Sequence, residues 1–444
     1  MTGEMHPLPV ELLLSRMLGE WEQKKSFFDI PAELFFVPQE NLCLNGQRFG
    51  QALETPLGVA AGPHTQLCSG ILASWLVGAR YLELKTVQTL DELQIPRPCI
   101  DMRDEGYNCE WSQELKLGQS FHEYLNAWIL IHLLRHLLQH PQQQGTIFNM
   151  SVGYNMEGIL QNNIQEFLGK MNDASLDGEL EKALYKIHRA YPALDTIAIP
   201  KKLSDNVTLS TMHGCPPEEI EKIALYLIRE RRLHTVVKLN PTLNGAKEVR
   251  EILNQKCGFA INVPDSAFDH DLKYKDALKI IRNLRQAAQE SGVSFGLKLT
   301  NTLESVNSDR LFPPDEIPMR YMSGRALHPL AINLAHKLQN EFNGELDISL
   351  SAGVDAFNVA EVLPLGLTPV TVCSDLLKPG GAGRLKQYVD NIRKEMQESG
   401  AQDLNHWATI KGDRLKNLAS YRKKVLIDTN KRYHKEAHPW ESIK

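Results

Sequence analysis

Three lysines close apolar runs in this chain: Lys85 in RYLELKTV, Lys238 in HTVVKLNP and Lys298 in FGLKLTNT. A buried ammonium group is costly unless it meets an anion or an electron-rich ring. If all three face one mouth, they form an anion-binding or redox-cofactor site; for any single one the plainer alternative is snorkelling to solvent. Asn155, Asn240 and Asn301 also stand at or just past run ends. A carboxamide offers a donor and an acceptor together, as needed to read a heterocycle with alternating C=O and N–H groups, although each asparagine alone also suits a turn.

TLSTMHGCPPEEIEKIALYLI, from Thr208, joins a strand to a helix whose start is marked by Pro216, Pro217, Glu218 and Glu219. Cys215 lies just before that start, where the helix dipole and His213 would lower its pKa. It is the best candidate general acid or nucleophile, with a small buried thiol as the plain alternative. His132, His136 and His140 follow i, i+4, i+8 spacing, but a long amphipathic helix accounts for them better than a metal does. Asp269-His270-Asp271 reads as a charged loop.

Residues 346–376 contain two consecutive strand–turn–helix units. Ile348-Ser349-Leu350 ends in Ser351-Ala352-Gly353, and Val370-Thr371-Val372 ends in Cys373-Ser374-Asp375. Small residues at the C-terminal ends of neighbouring parallel strands leave backbone N–H groups free beside a helix start, where a phosphate is favoured.

The elements that must position these groups follow from the whole pattern. Short apolar runs ending in small or polar residues alternate with helical segments from Pro56 onward: PLGVAAGP, RYLELKTV, TIFNMSV, NVTLSTM, HTVVKLNP, GFAINVP, FGLKLTNT, LDISLSAG and PVTVCSD. Such alternation means a parallel sheet with helices outside it. A closed (β/α)8 barrel uses eight strands, and GFAINVP, at 258–264, is the expected surplus run, because FGLKLTNT ends in the polar cluster Thr300-Asn301-Thr302 and GFAINVP does not. The long connections at 88–145 and 156–205 are expected to cover the active face; the first holds Gly106-Tyr107-Asn108 and a helix over 120–139, the second a polar helix near 176–190. Residues 1–30 read as a helix with Leu12, Leu13, Met17 and Trp21 on one face. Asn45-Gly46 predicts a hairpin turn that would plug the barrel floor. A helix over 385–397 precedes a polar tail with the basic cluster Arg422-Lys423-Lys424 and the aromatics Trp407, Tyr421, Tyr433 and Trp440, read as a solvated or docking extension.

With 444 residues there is ample sequence for a large core, and a net charge of −5 leaves no footprint for nucleic acid or anionic lipid. Seven dispersed cysteines without a CxxC pair speak against a zinc or iron–sulfur site in this chain and for a reducing cytoplasmic setting. The apolar stretch 127–138 is too short to span a bilayer, and no secretion signal is visible.

TPLGVAAGP, YLELKTV, SVGYN, TNT, YMSGRALHPLAI, LSAGVD and VTVCSDLL, in that order, resemble the FMN-binding barrel of dihydroorotate dehydrogenases and the corresponding domain of dihydropyrimidine dehydrogenase. ELKTVQ, FNMSVGYNMEGI, LSTMHGCPPEEIE, VKLNPTLNG, FDHDLK and MSGRALHPL resemble still more closely the N-terminal part of the selenate reductase-type proteins linked to anaerobic purine catabolism. The resemblance covers residues 41–396, leaving 1–40 as an N-terminal helical segment and 397–444 as a helical, basic extension that would dock a partner.

The resemblance implies a dihydroorotate dehydrogenase-like (β/α)8 TIM barrel holding FMN. Ala60, Ala61 and Gly62 would lie against the flavin; Lys85, with Thr86 beside it, and a second lysine, Lys238 or Lys298, would bond its ring or ribityl chain, with Asn155 and Thr300 near them. Ser323-Gly324, Ala352-Gly353 and Cys373-Ser374 would hold the phosphate. Asn301 and Thr302 would contact the substrate ring, and Asn240 is a further substrate candidate. The family pattern NxSCP or NxSSP is replaced here by Leu209-Ser210-Thr211-Met212, which puts Thr211 in the catalytic column, and Cys215 would take over as proton donor. The implied activity is an FMN-dependent reduction of a small electron-poor heterocycle, a purine such as urate or xanthine before a pyrimidine. Electrons would come from a partner iron–sulfur/FAD subunit using NAD(P)H, since no G-x-G-x-x-G fingerprint is present. The alternatives are a subunit of a selenate reductase complex or a non-catalytic assembly barrel, and homo-oligomerisation is left open.

Overall fold

The structure, a computed structural model, describes residues 6–87, 89, 100–105, 107–108, 114–140, 145–210, 214–308, 315, 317–427 and 433. Eight parallel strands close into a barrel: β1 Leu57–Val59, β2 Tyr81–Glu83, β3 Ile147–Val152, β4 Asn206–Leu209, β5 His234–Leu239, β6 Phe295–Leu299, β7 Ile348–Leu350 and β8 Leu367–Val372. β8 closes on β1 through Val370, Thr371 and Val372 opposite Leu57, Gly58 and Val59. Eight of the nine apolar runs form these strands. GFAINVP does not: residues 258–264 have no regular structure, and Phe259, Ile261 and Val263 are buried as loop side chains.

Side chains alternate across each strand, so every second residue enters the barrel. β2 shows the layering, with Tyr81 at the floor, Glu83 in the middle and, just past the strand, Lys85 at the mouth. β6 repeats it with Gly296, Lys298 and Thr300. The middle layer is polar, and Asn149 illustrates how it is satisfied: its Nδ2 donates to Asn206 at 2.7 Å and its Oδ1 accepts from the Thr208 hydroxyl at 2.6 Å. The apolar core lies between the strands and the surrounding helices, built from residues such as Trp75, Leu82, Ile223 and Leu334. Helix Pro217–Arg229 begins as its sequence dictates, with Pro217 in its first turn followed by Glu218 and Glu219.

The floor is plugged by a hairpin, Gly46–Arg48 with Gln51–Leu53. Its turn is Phe49-Gly50, at φ 53° and 75°, and not the expected Asn45-Gly46. Phe49 and Leu53 pack on Tyr81, Ile147 and Val236 at the strand starts. Arg48 reaches the Asp347 carboxylate and the Thr368 carbonyl, both at 2.8 Å.

The mouth carries a small sheet ordered Leu303–Val306, Met319–Met322, Ile100–Asp101, Tyr107–Asn108. The connection after β2 therefore does border the active face, joined by an insertion after β6 that the sequence reading missed. Gly106 and Trp440 lie outside the described residues.

At the N-terminus, helix Val10–Lys24 buries Leu13, Leu14 and Met17, while Leu12 is exposed and Trp21 is partly buried against the core. The tail also differs from expectation. Helices Leu404–Lys411 and Arg414–Ile427 follow helix Arg384–Glu398, and Trp407, Tyr421 and Tyr433 are buried against the barrel instead of facing solvent. Arg422 and Lys424 are engaged with Asn333 and Glu361.

Candidate functional site

A cleft of about 290 Å³ opens at the C-terminal ends of the strands. Among its lining residues are Ala60, Ala61, Gly62, Lys85, Thr86, Lys238, Lys298, Thr300, Asn301, Thr302, Ser323, Gly324, Ala352, Gly353, Cys373 and Ser374. Sixteen positions spread over more than 300 residues of sequence are thus gathered on one surface, because β1, β2, β5, β6, β7 and β8 all end there with small or polar residues.

The three lysines differ in their surroundings. Lys298 is buried, and its ammonium touches the Glu83 carboxylate, which also accepts from the Thr371 hydroxyl at 3.2 Å and the Ala61 N–H at 3.3 Å. Burial pulls Lys298 down, to about 7, with Cys373 opposing the effect and Arg48 adding to it. Lys238 stands opposite Lys298 in the β5–β6 register. Burial brings its ammonium down to about 8, with Lys85 adding to the effect and Cys373 opposing it. Lys85 follows β2, and its carbonyl accepts from the Tyr124 hydroxyl at 3.1 Å. Alternation alone places Glu83 on the same side of β2 as Lys85, two residues on, but its pairing with Lys298, 215 positions away, is not readable from it.

The rest of the lining is made of small residues and turns. Gly324 and Gly353 have φ values of 79° and 57°, which favour glycine. A Cβ on Gly353 would sit 2.6 Å from the Arg325 Cα, and one on Gly62 2.8 Å from the Cys373 sulfur. The Ser323 and Ser374 hydroxyls lie 3.4 Å apart, between the ends of two strands. Gly324 opens the 3-10 turn Gly324–Leu327, which runs into helix His328–Glu341, and Ser374 opens the turn Ser374–Leu377. Initial N–H groups of such turns have no partner within the turn and are available to an anion. Arg325 and Lys378 stand beside them, paired with Glu105. None of these three was picked out in the sequence, where they lie in different connections.

Three expected residues lie elsewhere. Asn155 is exposed and its side chain accepts from the Gly158 N–H at 2.8 Å, capping the short helix Met156–Ile159; its neighbour Tyr154 lines the cleft. Asn240 donates to Asp271 at 3.0 Å, and Asp271 in turn accepts from the Gly214 N–H at 2.9 Å, so the two hold the end of the β4 loop and do not line the cleft. Cys215 is half-buried and also off the lining. Burial, reinforced by Glu219, pushes its thiol up to about 11, the reverse of the expected depression: desolvation and a nearby carboxylate outweigh the helix dipole. Thr211 and His213 lie outside the described residues; Ser210, just before them, is on the lining.

The histidine row breaks up. Helix Leu117–Leu137 ends before His140, which packs on Trp75, while His132 packs on Trp128. Among the described residues there is no group of three His, Cys, Asp or Glu that could hold a metal, and no helix long and apolar enough to cross a membrane.

A closed eight-stranded parallel barrel with its cleft at the strand C-termini defines a TIM-barrel protein. A crystal structure of ligand-free DHODH from Eimeria tenella superposes with a TM-score of 0.53 at 14% identity, covering 91% of this chain and 99% of that one. A second, of DHODH in complex with ferulenol from the same organism, gives a TM-score of 0.50 at 14% identity over 88% and 95% of the two chains. At that identity the likeness is one of fold. The chain belongs to the family described as oxidoreductase YgfK, N-terminal TIM-barrel domain, which matches residues 28–433. The Escherichia coli (strain K12) and Escherichia coli O157:H7 proteins named as oxidoreductase YgfK are each 43% identical to it over 436 residues, 94% of this chain. The chain spans 41% of the length of those relatives.

Proposed function

We propose that this barrel binds FMN and reduces an electron-poor heterocycle, a purine such as urate or xanthine before a pyrimidine. Electrons would be delivered by an iron–sulfur flavoprotein partner that draws on NAD(P)H. The observation that carries this reading is a single cleft lined both by strand-end lysines and by glycine-bearing turns at helix starts. Two features fit the cofactor. Side chains at Gly62 and Gly353 would collide with the cleft wall, so backbone is exposed where a flat ring and a phosphate would approach. The Thr300 hydroxyl is buried on the lining with no hydrogen-bond partner among the described residues.

FMN, when bound, supplies hydride transfer to the substrate. The chain's own residues would do the rest. Lys85 and Lys238 hold the polar edge of the ring; Lys238 is preferred over Lys298 because the latter's ammonium is already committed to Glu83. Gly324, Gly353 and Ser374 present N–H groups to the phosphate. Asn301 and Thr302 read the substrate ring with paired donor and acceptor groups. The proton comes from the segment after β4, through Thr211 or Cys215. A thiol near 11 keeps its proton at neutral pH, which counts against a nucleophile.

Purified protein tests this directly. The reading requires a yellow chromophore absorbing near about 450 nm and FMN released on denaturation. Without them, the barrel is an assembly or binding subunit. Photoreduced protein mixed in turn with urate, xanthine, uracil and selenate should be reoxidised by a purine; reoxidation by selenate alone would move the assignment to that oxyanion. Cys215→Ser with full turnover would leave Thr211 as the donor.

A further inference from the structure

The tail reaches the phosphate end of the cleft from behind. His328, fully buried, begins the helix that follows Ser323-Gly324, and both its ring nitrogens are engaged: Nδ1 lies 2.7 Å from the Ala352 carbonyl oxygen and Nε2 2.9 Å from the Tyr421 hydroxyl. A carbonyl only accepts, so Nδ1 carries the proton and Nε2 accepts from Tyr421. The Tyr433 ring stacks on His328 at 4.9 Å and 17°, and its hydroxyl lies 3.4 Å from that of Tyr421. Asn358 donates to the Tyr433 hydroxyl at 2.8 Å and to the Gly353 carbonyl at 3.0 Å. Every donor in this chain of contacts has an acceptor, from the tail to two consecutive carbonyls of the β7 turn.

Those carbonyls belong to residues that line the cleft. In a trans peptide the C=O of one residue and the N–H of the next point in opposite directions. Holding the Ala352 carbonyl on His328 therefore turns the Gly353 N–H away from His328, and holding the Gly353 carbonyl on Asn358 does the same for the Val354 N–H. The geometry points to His328, Tyr421 and Tyr433 as positioning residues: a strap from the C-terminal segment that fixes two peptide planes so that their N–H groups receive the phosphate of the cofactor. This rests on the FMN reading above. It gives the buried tail aromatics a specific task, selecting a phosphorylated flavin over an unphosphorylated one.

The test titrates the full-chain apoprotein, wild type and Tyr421→Phe, with FMN and with riboflavin by fluorescence quenching. The variant keeps the ring and loses only the hydroxyl that His328 accepts from. FMN affinity should fall about tenfold, as for one lost hydrogen bond, with riboflavin affinity unchanged. An equal loss for both flavins, or no loss, overturns the strap. Hydrogen exchange of the amides at 351–355, measured without flavin, should be faster in the variant, and unchanged exchange overturns the strap whatever the flavin results. If wild type binds neither flavin, the FMN reading fails by itself and the exchange measurement alone decides the strap. Tyr433→Phe serves in the same assays should Tyr421→Phe not fold.

Discussion

Lys238 and Lys298 stand opposite each other across β5 and β6, yet among the described residues only Lys298 has a carboxylate in contact. Two cations facing one cleft repel, and burial lowers Lys238 to about 8, from an ordinary 10.5. The sign of its linkage follows. Between about 8 and 10.5 the unfolded chain binds a proton that the empty folded barrel does not, so apoprotein stability rises with pH across that window. Anion binding runs the other way, since the charge that attracts the anion is lost above about 8. Affinity for FMN should therefore step down around that pH in wild type, and the step should vanish in Lys238→Met; an identical pH profile in the variant would remove Lys238 from the site. Glu83 makes the complementary prediction. Glu83→Gln leaves the Lys298 ammonium buried without its carboxylate and should cost about 3 kcal/mol in urea unfolding, most of it recovered in Glu83→Gln with Lys298→Met, where the buried charge is gone. Which groups line the cleft was largely legible, because a strand end is a local pattern. Their ionisation was not: the Cys215 thiol is set by burial and Glu219, and the Lys298 charge by a residue 215 positions away.

Among the elements, the eight strands were readable because each is an apolar run with its own stop, and GFAINVP could be set aside for lacking a polar end. The floor hairpin was readable in kind but not in register. Asn45-Gly46 is the stronger local turn signal, but the chain turns at Phe49-Gly50. That places Phe49 on the His234 ring at 5.1 Å and Arg48 between Phe49 and Tyr81, so packing against the floor wins over turn propensity. The sheet over the mouth was unreadable, because Met319–Met322 pairs with Ile100–Asp101 from a connection more than 200 residues earlier. The hairpin supports a clean separation of roles. Arg48→Ala removes the tie to Asp347 and Thr368 and should lower stability by about 2 kcal/mol in thermal or urea unfolding. Because the cleft opens at the other end of the strands, FMN affinity measured on the folded variant should stay at the wild-type value, and a matching loss of both would show that floor and mouth are coupled.

At the scale of the molecule the question is where electrons enter. Among the described residues the cleft has one set of turns suited to a phosphate, formed after β6, β7 and β8, and the sequence has no G-x-G-x-x-G turn that would offer a dinucleotide a second one. On the FMN reading, a nicotinamide cofactor would have to share this one cleft with the flavin and the substrate. The chain is also only 41% as long as its relatives, which is room for other redox modules in them. These points converge on an anaerobic experiment with the protein of 444 residues by itself. NADH and NADPH should leave the flavin band near about 450 nm intact over the time in which light with a sacrificial donor bleaches it, and a purine added to the bleached protein should restore it. Bleaching by NADH or NADPH without any added protein would place the electron entry inside this barrel and remove the need for a partner.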